Sequence, residues 1–519
     1  MPGRRGSAHR ARAADIARDS LRRRGPVEDT VAPALTGHGR RDVLAGIAVS
    51  TALASFCLPL QSDDIVGMAA VFAIGWISCL AFLINGRPDG IYHPSASYLV
   101  VFGLFHGGLL FSLAAAGDGL HEHKQSAWVY YAGTPHAVSL AILGMVAFTI
   151  STEIFRTPRD ITDQRCLSDE NNGNVERDSL AKIGLTVETL GILLFIAGVI
   201  QIDGLDSGWG TYNAFRDALE SGAASRALVY SALLVSIGAI FSVAAGGRTR
   251  IVAWWIFAIY TVLSLRLGAR SQSLFPLITL LAIEARRGVR LKTAWTSIGA
   301  PILLSLICLV RQIRAVGIAN IESISPWEGV AEMGYSLRPT VTVLDWHLSG
   351  ENLRYGDTLV ATIARFVETL FFLEHGTIAP GSRLFSEEIT DRVGTIGGSP
   401  IAEGYHNFGL VGVILAMVAI GWTLGWIERI PRTPRGNALV GVVMCPLLTD
   451  VRNFSSVILV PLTLGLSLLW LGKVLSNRRG STGVFRGNRT RAGTRDDSAD
   501  HMATSSRDDA IPHHERSHR

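Results

Sequence analysis

The chain has 519 residues, of which 48% are hydrophobic and only 18% charged, and its mean hydropathy is +0.31. Soluble chains of this size carry about a quarter charged residues, and here the apolar residues fall in long blocks rather than at amphipathic spacing, which excludes an ordinary soluble domain and predicts an all-α, polytopic membrane protein. The net charge of +5 and the pI near 9.0 come from arginines in tails and short connections, as membrane topology demands, so a nucleic-acid partner is not predicted.

Residues 1–42 are rich in Arg, Ser, Asp and Gly without an apolar period and are predicted to be a disordered basic cytoplasmic tail. Arg40-Arg41 ahead of an apolar run resembles a twin-arginine export signal. No small-residue cleavage site follows, so the first apolar block is predicted to stay as a helix. At roughly 20 apolar residues per crossing, about twelve spans are predicted. They lie near 43–60, 65–84, 97–115, 136–152, 183–201, 226–244, 251–267, 271–285, 294–310, 407–427, 437–450 and 456–475. Residues 476–519 are predicted to be a second disordered cytoplasmic tail.

Arginine placement sets the orientation. The connections around Arg87, Arg156 to Arg177, Arg248 and Arg250, Arg286 to Arg290, and Arg429 to Arg435 are basic, and all are even-numbered. The positive-inside rule therefore puts both termini in the cytoplasm, and the large loop 311–406 on the outer face of the cell membrane. Val360 to Leu373 is apolar but short and contains Arg365 and Glu368, so it is predicted to be an amphipathic helix at the outer surface or under the loop. Cys57, Cys79, Cys308 and Cys445 fall in apolar blocks and Cys166 in a polar loop, with no CxxC or Cys/His spacing; neither disulfides nor a metal site is predicted. No cofactor is predicted either.

Several arginines nevertheless stand on the outer side. Arg266 and Arg270 occupy the tip between the seventh and eighth spans, and Arg311 and Arg314 lie three apart where the ninth span ends. The large loop adds Arg338, Arg354, Arg365, Arg383 and Arg392. Singly, such residues snorkel to lipid phosphates. As a set they suit a pyrophosphate ligand, because the planar guanidinium matches phosphate oxygens in pairs. No DxD-like acidic pair adjoins them, so arginines rather than a divalent metal would neutralise a leaving group.

The most informative segment is Gly397 to Gly409, which is polar, glycine-rich and runs into the apolar block Leu410 to Trp426. Glu403 and His406 stand at i, i+3 and would share a face of a helix beginning there. They are the leading candidates for a general base, with the carboxylate orienting the ring; the plainer reading of His406 is an interfacial residue capping the helix. Glu387, Glu388 and Asp391 are the next candidates, against the reading that they form a solvated face. Tyr405, Phe408, Trp327 and Trp346 could stack on sugars, although aromatics collect at membrane interfaces anyway.

The run Pro400-Ile401-Ala402-Glu403-Gly404-Tyr405-His406-Asn407-Phe408-Gly409-Leu410-Val411-Gly412 resembles the end of the large outer loop in O-antigen polymerases. Leu267-Gly268-Ala269-Arg270-Ser271 before an apolar run and Arg286-Arg287 resembles that family's Gly-x-Arg hairpin. The similarity covers the layout of residues 180–475. It implies a GT-C-like, metal-independent, inverting glycosyltransferase that joins undecaprenyl-pyrophosphate-linked repeat units at the outer face, beside a flippase and a chain-length regulator. By the same resemblance Arg270 binds pyrophosphate, and Glu403 and His406 line the acceptor site; Tyr405 and Asn407 join Arg266, Arg311, Arg314 and Arg383 as candidates for binding the substrate or its pyrophosphate. The related ligases place a Gly where this chain has Met417, which argues against a ligase.

Two other readings stay open. A lipid-linked-oligosaccharide flippase would carry charges inside its spans and an internal repeat; the midspan regions here are almost free of charge and no repeat is seen. Another polyprenyl-linked glycosyltransferase would show an acidic pair in its first outer loop, where Asp63-Asp64 stands.

Overall fold

The computed structural model describes residues 37–487, apart from 59, 86, 117–123, 157–169, 204–222, 267–269, 372 and 375 and, between 290 and 325, all but 299, 302, 304–306, 308 and 309. Fifteen α-helices and no strand occur among these residues. In chain order they are α1 (Gly37–Cys57), α2 (Ile65–Ile84), α3 (Pro94–Ala116), α4 (Thr134–Phe155), α5 (Glu170–Asp203), α6 (Ala223–Ala245), α7 (Gly247–Arg266) and α8 (Ser271–Arg286). The large loop contains α9 (Pro326–Met333), α10 (Arg338–Leu348), α11 (Asp357–Leu370) and α12 (Phe385–Val393). The chain then returns through α13 (Pro400–Glu428), α14 (Pro434–Asp450) and α15 (Ser456–Gly487).

Eight of these helices (α2 to α7, α13 and α15) are long and apolar enough to cross a membrane. That is fewer than the twelve predicted. The apolar part of α1, Asp42–Cys57, is short, and α8 and α14 have 16 and 17 residues. Both α8 and α14 bury most of their side chains against other helices, so neither needs to match the lipid thickness alone. The predicted ninth span, 294–310, lies mostly outside the described residues, and those of it that are described (299, 302, 304–306, 308 and 309) are helical. Helix α15 continues to Gly487, into the segment predicted as a tail.

Two apolar cores organise the bundle. The larger joins α1 to α4 with α8, α9, α10, α13 and α14; the smaller joins α5, α6 and α7 with α8, α14 and α15. Glycines set the closest approaches: a Cβ on Gly238 of α6 would lie 2.4 Å from the backbone nitrogen of Glu188 on α5. Glu188 is fully buried at that contact. A span predicted to be nearly charge-free thus carries an acid, kept from lipid by the helix packed against it.

The end of α13 is tied to the rest by ions. Glu428 bonds His93 at 2.6 Å and lies beside Arg87, whose other arm holds Glu153 at 3.0 Å, while Arg432 grips Asp89 at 2.6 Å. Asp64 of the acidic pair near the N-terminus caps α2, its carboxylate accepting the Gly67 N–H at 2.8 Å.

At the large-loop end, α9 to α12 fold down among the spans. A Cβ on Gly108 of α3 would lie 2.5 Å from the Val330 carbonyl oxygen of α9, and a Cβ on Gly334 would lie 1.8 Å from the Leu109 nitrogen. Helix α11 is the amphipathic helix predicted from Val360 to Leu373. It buries Thr358, Ala361, Thr362 and Glu368, while Val360, Ile363 and Leu370 are more than half exposed. Its apolar side therefore faces outward, the polarity expected of a helix bedded in a membrane interface.

Candidate active site

Helix α13 is a hairpin rather than one rod. Phe408 (φ −135°, ψ 18°) and Gly409 (φ 60°, ψ −142°) leave helical geometry, and beyond them the chain turns back. A Cβ on Gly412 would lie 1.9 Å from the Gly404 carbonyl oxygen, so the two legs touch backbone to backbone. Gly409 supplies the positive φ that other residues adopt at a cost. The first leg, 400–407, reaches down until Ile401 meets Gly144 of α4, about 15 Å below the start of that helix at ~1.5 Å per residue. Ser399 caps it, accepting the Ile401 N–H at 3.2 Å, and its hydroxyl bonds His106 of α3 at 2.8 Å.

The break frees backbone groups at the hairpin tip, and a buried group without a partner is costly in lipid. The connection after α10 meets this need. The Arg354 N–H donates to the His406 carbonyl at 3.0 Å and the Tyr355 N–H to the Asn407 carbonyl at 2.9 Å. The Asn407 side chain accepts from the Gly356 N–H at 3.0 Å and donates to Thr358 Oγ1 at 2.7 Å and the Glu403 carbonyl at 2.8 Å. Asn407 thereby pins α11 to the hairpin.

His406 is fully buried under Trp346 and Phe385. Its Nε2 lies 3.0 Å from Glu388 Oε2 of α12, and its Nδ1 lies 3.4 Å from His347 Nε2 of α10. His347 Nδ1 in turn lies 2.8 Å from the Glu351 carbonyl oxygen. A carbonyl and a carboxylate only accept, so His347 Nδ1 and His406 Nε2 both carry protons. The remaining two ring nitrogens face each other, and a third proton between them would close the chain of bonds. With two protons the rings are neutral and the gap is a proton acceptor; with three they share one positive charge beside Glu388.

Arginines surround this pair. Arg354 bonds Glu388 closely and Glu351 at 3.3 Å. Arg392 bonds Glu351 at 2.8 Å and stacks 3.6 Å above the Trp346 ring. Burial presses the Glu388 carboxyl upward, but the hydrogen bonds and charges of His406 and Arg354 outweigh it and hold it at about 2. The bond to Glu388 raises the Arg354 guanidinium above its ordinary value. Both guanidinium groups are roughly two-fifths exposed, 40% and 37%, so they form the open rim of a buried dyad.

The carboxylate at His406 is thus Glu388 and not Glu403. Glu403 is buried on the other side of the leg, where it accepts from the Ser455 N–H at 2.9 Å, the Ser455 hydroxyl at 2.8 Å and Thr358 Oγ1 at 3.4 Å. The i, i+3 spacing sets both residues on one leg, but partners from α12 and the turn before α15 separate their bonds. Tyr405 packs edge-on to His347, with ring centres 5.6 Å apart.

The other arginines lie apart. Arg270 forms a close ion pair with Glu332 of α9, and Arg383 is 67% exposed, 3.6 Å from Asp391. Arg311, Arg314 and the side chain of Arg266 lie outside the described residues. Sequence reasoning missed His347, Glu351 and Ser455; a second loop histidine ahead of His406 was the only available signal for the first. Glu351, Glu388 and His406 offer ligand atoms within 4.8 Å of one another, a spacing that suits a cation. Both carboxylates are already bound by Arg354 and Arg392, so an ion would have to displace these arginines.

Residues 46–475 match the family model described as O-antigen polysaccharide polymerase Wzy. The chain is also 26% identical to Protein CapE of Staphylococcus aureus over 356 residues, covering 66% of this chain and 75% of that protein. No solved structure matches.

Proposed function

The chain belongs to the O-antigen polysaccharide polymerase Wzy family, and from that premise we propose that it polymerises undecaprenyl-pyrophosphate-linked oligosaccharide repeat units at the outer face of the cytoplasmic membrane, as an inverting, metal-independent glycosyltransferase. The chemistry asks for three things: a base for the acceptor hydroxyl, positive charge for the leaving pyrophosphate, and a site at lipid depth. The acceptor oxygen attacks the anomeric carbon of the donor from the face opposite the leaving group. The bond from that carbon to the phosphate oxygen breaks, and its electrons leave with the pyrophosphate. The hydroxyl proton passes into the gap between His347 and His406, and Glu388 balances the charge this creates.

Arg354 and Arg392 at the rim hold the pyrophosphate by paired hydrogen bonds, and Arg266, Arg270, Arg311, Arg314 and Arg383 are the further arginines proposed to bind the lipid-linked substrate away from that rim. Glu403 and Asn407 keep the hairpin in register for this step, and Tyr405 lines the acceptor side. A flippase would deliver the substrate and a chain-length regulator would limit the product. The observation that carries the reading is the buried His406–Glu388 pair opening through His347 toward a rim of arginines.

The test uses purified full-length protein, a synthetic polyprenyl-pyrophosphate repeat unit and the product ladder. His406→Ala, His347→Ala and Glu388→Gln should each slow chain growth by roughly 10²–10⁴-fold, the usual contribution of a general base. Donor binding should survive. Full turnover in the His406 and His347 variants would remove the pair from the mechanism.

A further inference from the structure

At the other end of α13 lies a second polar feature that polymerisation does not use. A cavity of about 480 Å³ opens between the ends of α5, α6, α8 and α14. Arg177, Arg286, Arg287, Arg432 and Asn437 stand in its wall, and among the described residues no acidic one lines it. From the His406 end of α13 to Arg429 is about 30 Å at ~1.5 Å per residue, so the two sites occupy opposite ends of the bundle.

The cavity is constructed rather than left over. Gly246 and Gly247 join α6 to α7 in a tight turn with φ of +78° and +68°. A Cβ on Gly246 would lie 2.1 Å from Arg287 Nη2, and one on Gly247 would lie 2.9 Å from Arg177 Nη2. Two guanidinium groups from different helices therefore converge on bare backbone. Arg286 is fixed by Asn437 Oδ1 at 3.2 Å and the Ile430 carbonyl at 2.8 Å, and Arg432 by Asp89. Glu284 serves both Arg250, at 2.6 Å, and Arg287, at 3.4 Å. Burial, together with the charges of Arg250 and Arg177, pushes the Arg287 guanidinium below its ordinary value despite Glu284. Like charges gathered in a concave wall are repaid by an anion between them.

We propose that this cavity binds a phosphate-bearing anion at the arginine-rich end of the bundle, in the first place the phosphodiester headgroup of an anionic membrane phospholipid, gripped between Arg177 and Arg287. Basic pockets between the ends of membrane helices suit such headgroups. A soluble phosphate would meet the same chemistry, so the test must separate the two. Thermal unfolding of the full chain is measured in phosphatidylcholine nanodiscs with and without phosphatidylglycerol, and in detergent with and without inorganic pyrophosphate. Arg177→Gln/Arg287→Gln is measured beside wild type, and Arg177→Gln alone tests an exposed position that does not threaten the fold.

Wild type should be stabilised by phosphatidylglycerol, and its affinity for that lipid should fall roughly tenfold or more in the double variant, as expected for a lost charge-assisted contact. Stabilisation by phosphatidylglycerol alone identifies the lipid headgroup, and stabilisation by pyrophosphate alone or by both identifies a phosphate site open to solution. No stabilisation by either probe, or an equal response in the double variant, overturns the proposal.

Discussion

His406 acquires its meaning from Glu388, a residue 18 positions earlier. Because Glu388 is held at about 2, below the value near 4.3 it has in an unfolded chain, the folded protein binds fewer protons there. The resulting stability is fully present above about pH 5 and is lost as the pH falls toward about 2. The gap in melting temperature between wild type and Glu388→Gln should therefore be constant from neutral pH to about 5 and close below it. A gap that instead widens on acidification would contradict the assignment. At Arg270, the pairing with Glu332 offers a way to separate structure from chemistry. If Arg270 holds pyrophosphate, Arg270→Ala should weaken donor binding, Arg270→Lys should rescue it only partly, and Glu332→Gln should leave it intact. Equal losses in the alanine and Glu332 variants would reduce Arg270 to a structural pair.

The hairpin α13 is the element on which the site depends. Its legs meet through Gly404 and Gly412, and a methyl group on Gly412 has no room beside the Gly404 carbonyl. Gly412→Ala should lower stability by about 1–3 kcal/mol, the usual cost of overpacking, and should move His406 away from Glu388. Gly46→Ala on α1, where nothing lies within 4 Å of the added methyl, is the control and should be neutral or mildly stabilising. Thermal unfolding and turnover of both variants check this. A Gly412→Ala protein with wild-type stability and turnover would mean that the legs can separate freely. Helix α11 follows the opposite rule from a soluble helix, hiding threonines and Glu368 while exposing Val360, Ile363 and Leu370. Glu368 accepts from the Ile378 N–H at 2.8 Å and the Gly376 N–H at 3.1 Å, so its burial closes the following loop.

At the scale of the molecule, the two ends differ in kind. One end carries α9 to α12 folded into the bundle over the buried His406–Glu388 pair; the other carries short arginine-rich turns and ion pairs such as Arg432–Asp89. From that charge asymmetry the positive-inside rule predicts the first end outside and the second in the cytoplasm. Reporter fusions at residues 350 and 432 test this: the first should report an outer location and the second a cytoplasmic one. A cytoplasmic signal at 350 would invert the orientation and remove the proposed outer-face reaction.

While the break at Phe408 and Gly409 came only with the structure, the sequence by itself determined the membrane class, the positions of most helices and the segment that holds Glu403, His406 and Asn407. These are properties of composition and spacing, and a run of apolar residues imposes a helix in lipid whatever surrounds it. It also held the family, through the run from Pro400 to Gly412. Tertiary structure alone decided which residues those side chains meet. The i, i+3 spacing put Glu403 beside His406, but Ser455, Thr358, Glu388 and His347 arrive from four other segments and divide them. Likewise no spacing brings Arg177 and Arg287 to the Gly246–Gly247 turn. The hydrogen-bond partners of Glu403 and His406 are fixed by where the chain passes 18 to 59 residues away, and local periodicity carries no record of that approach.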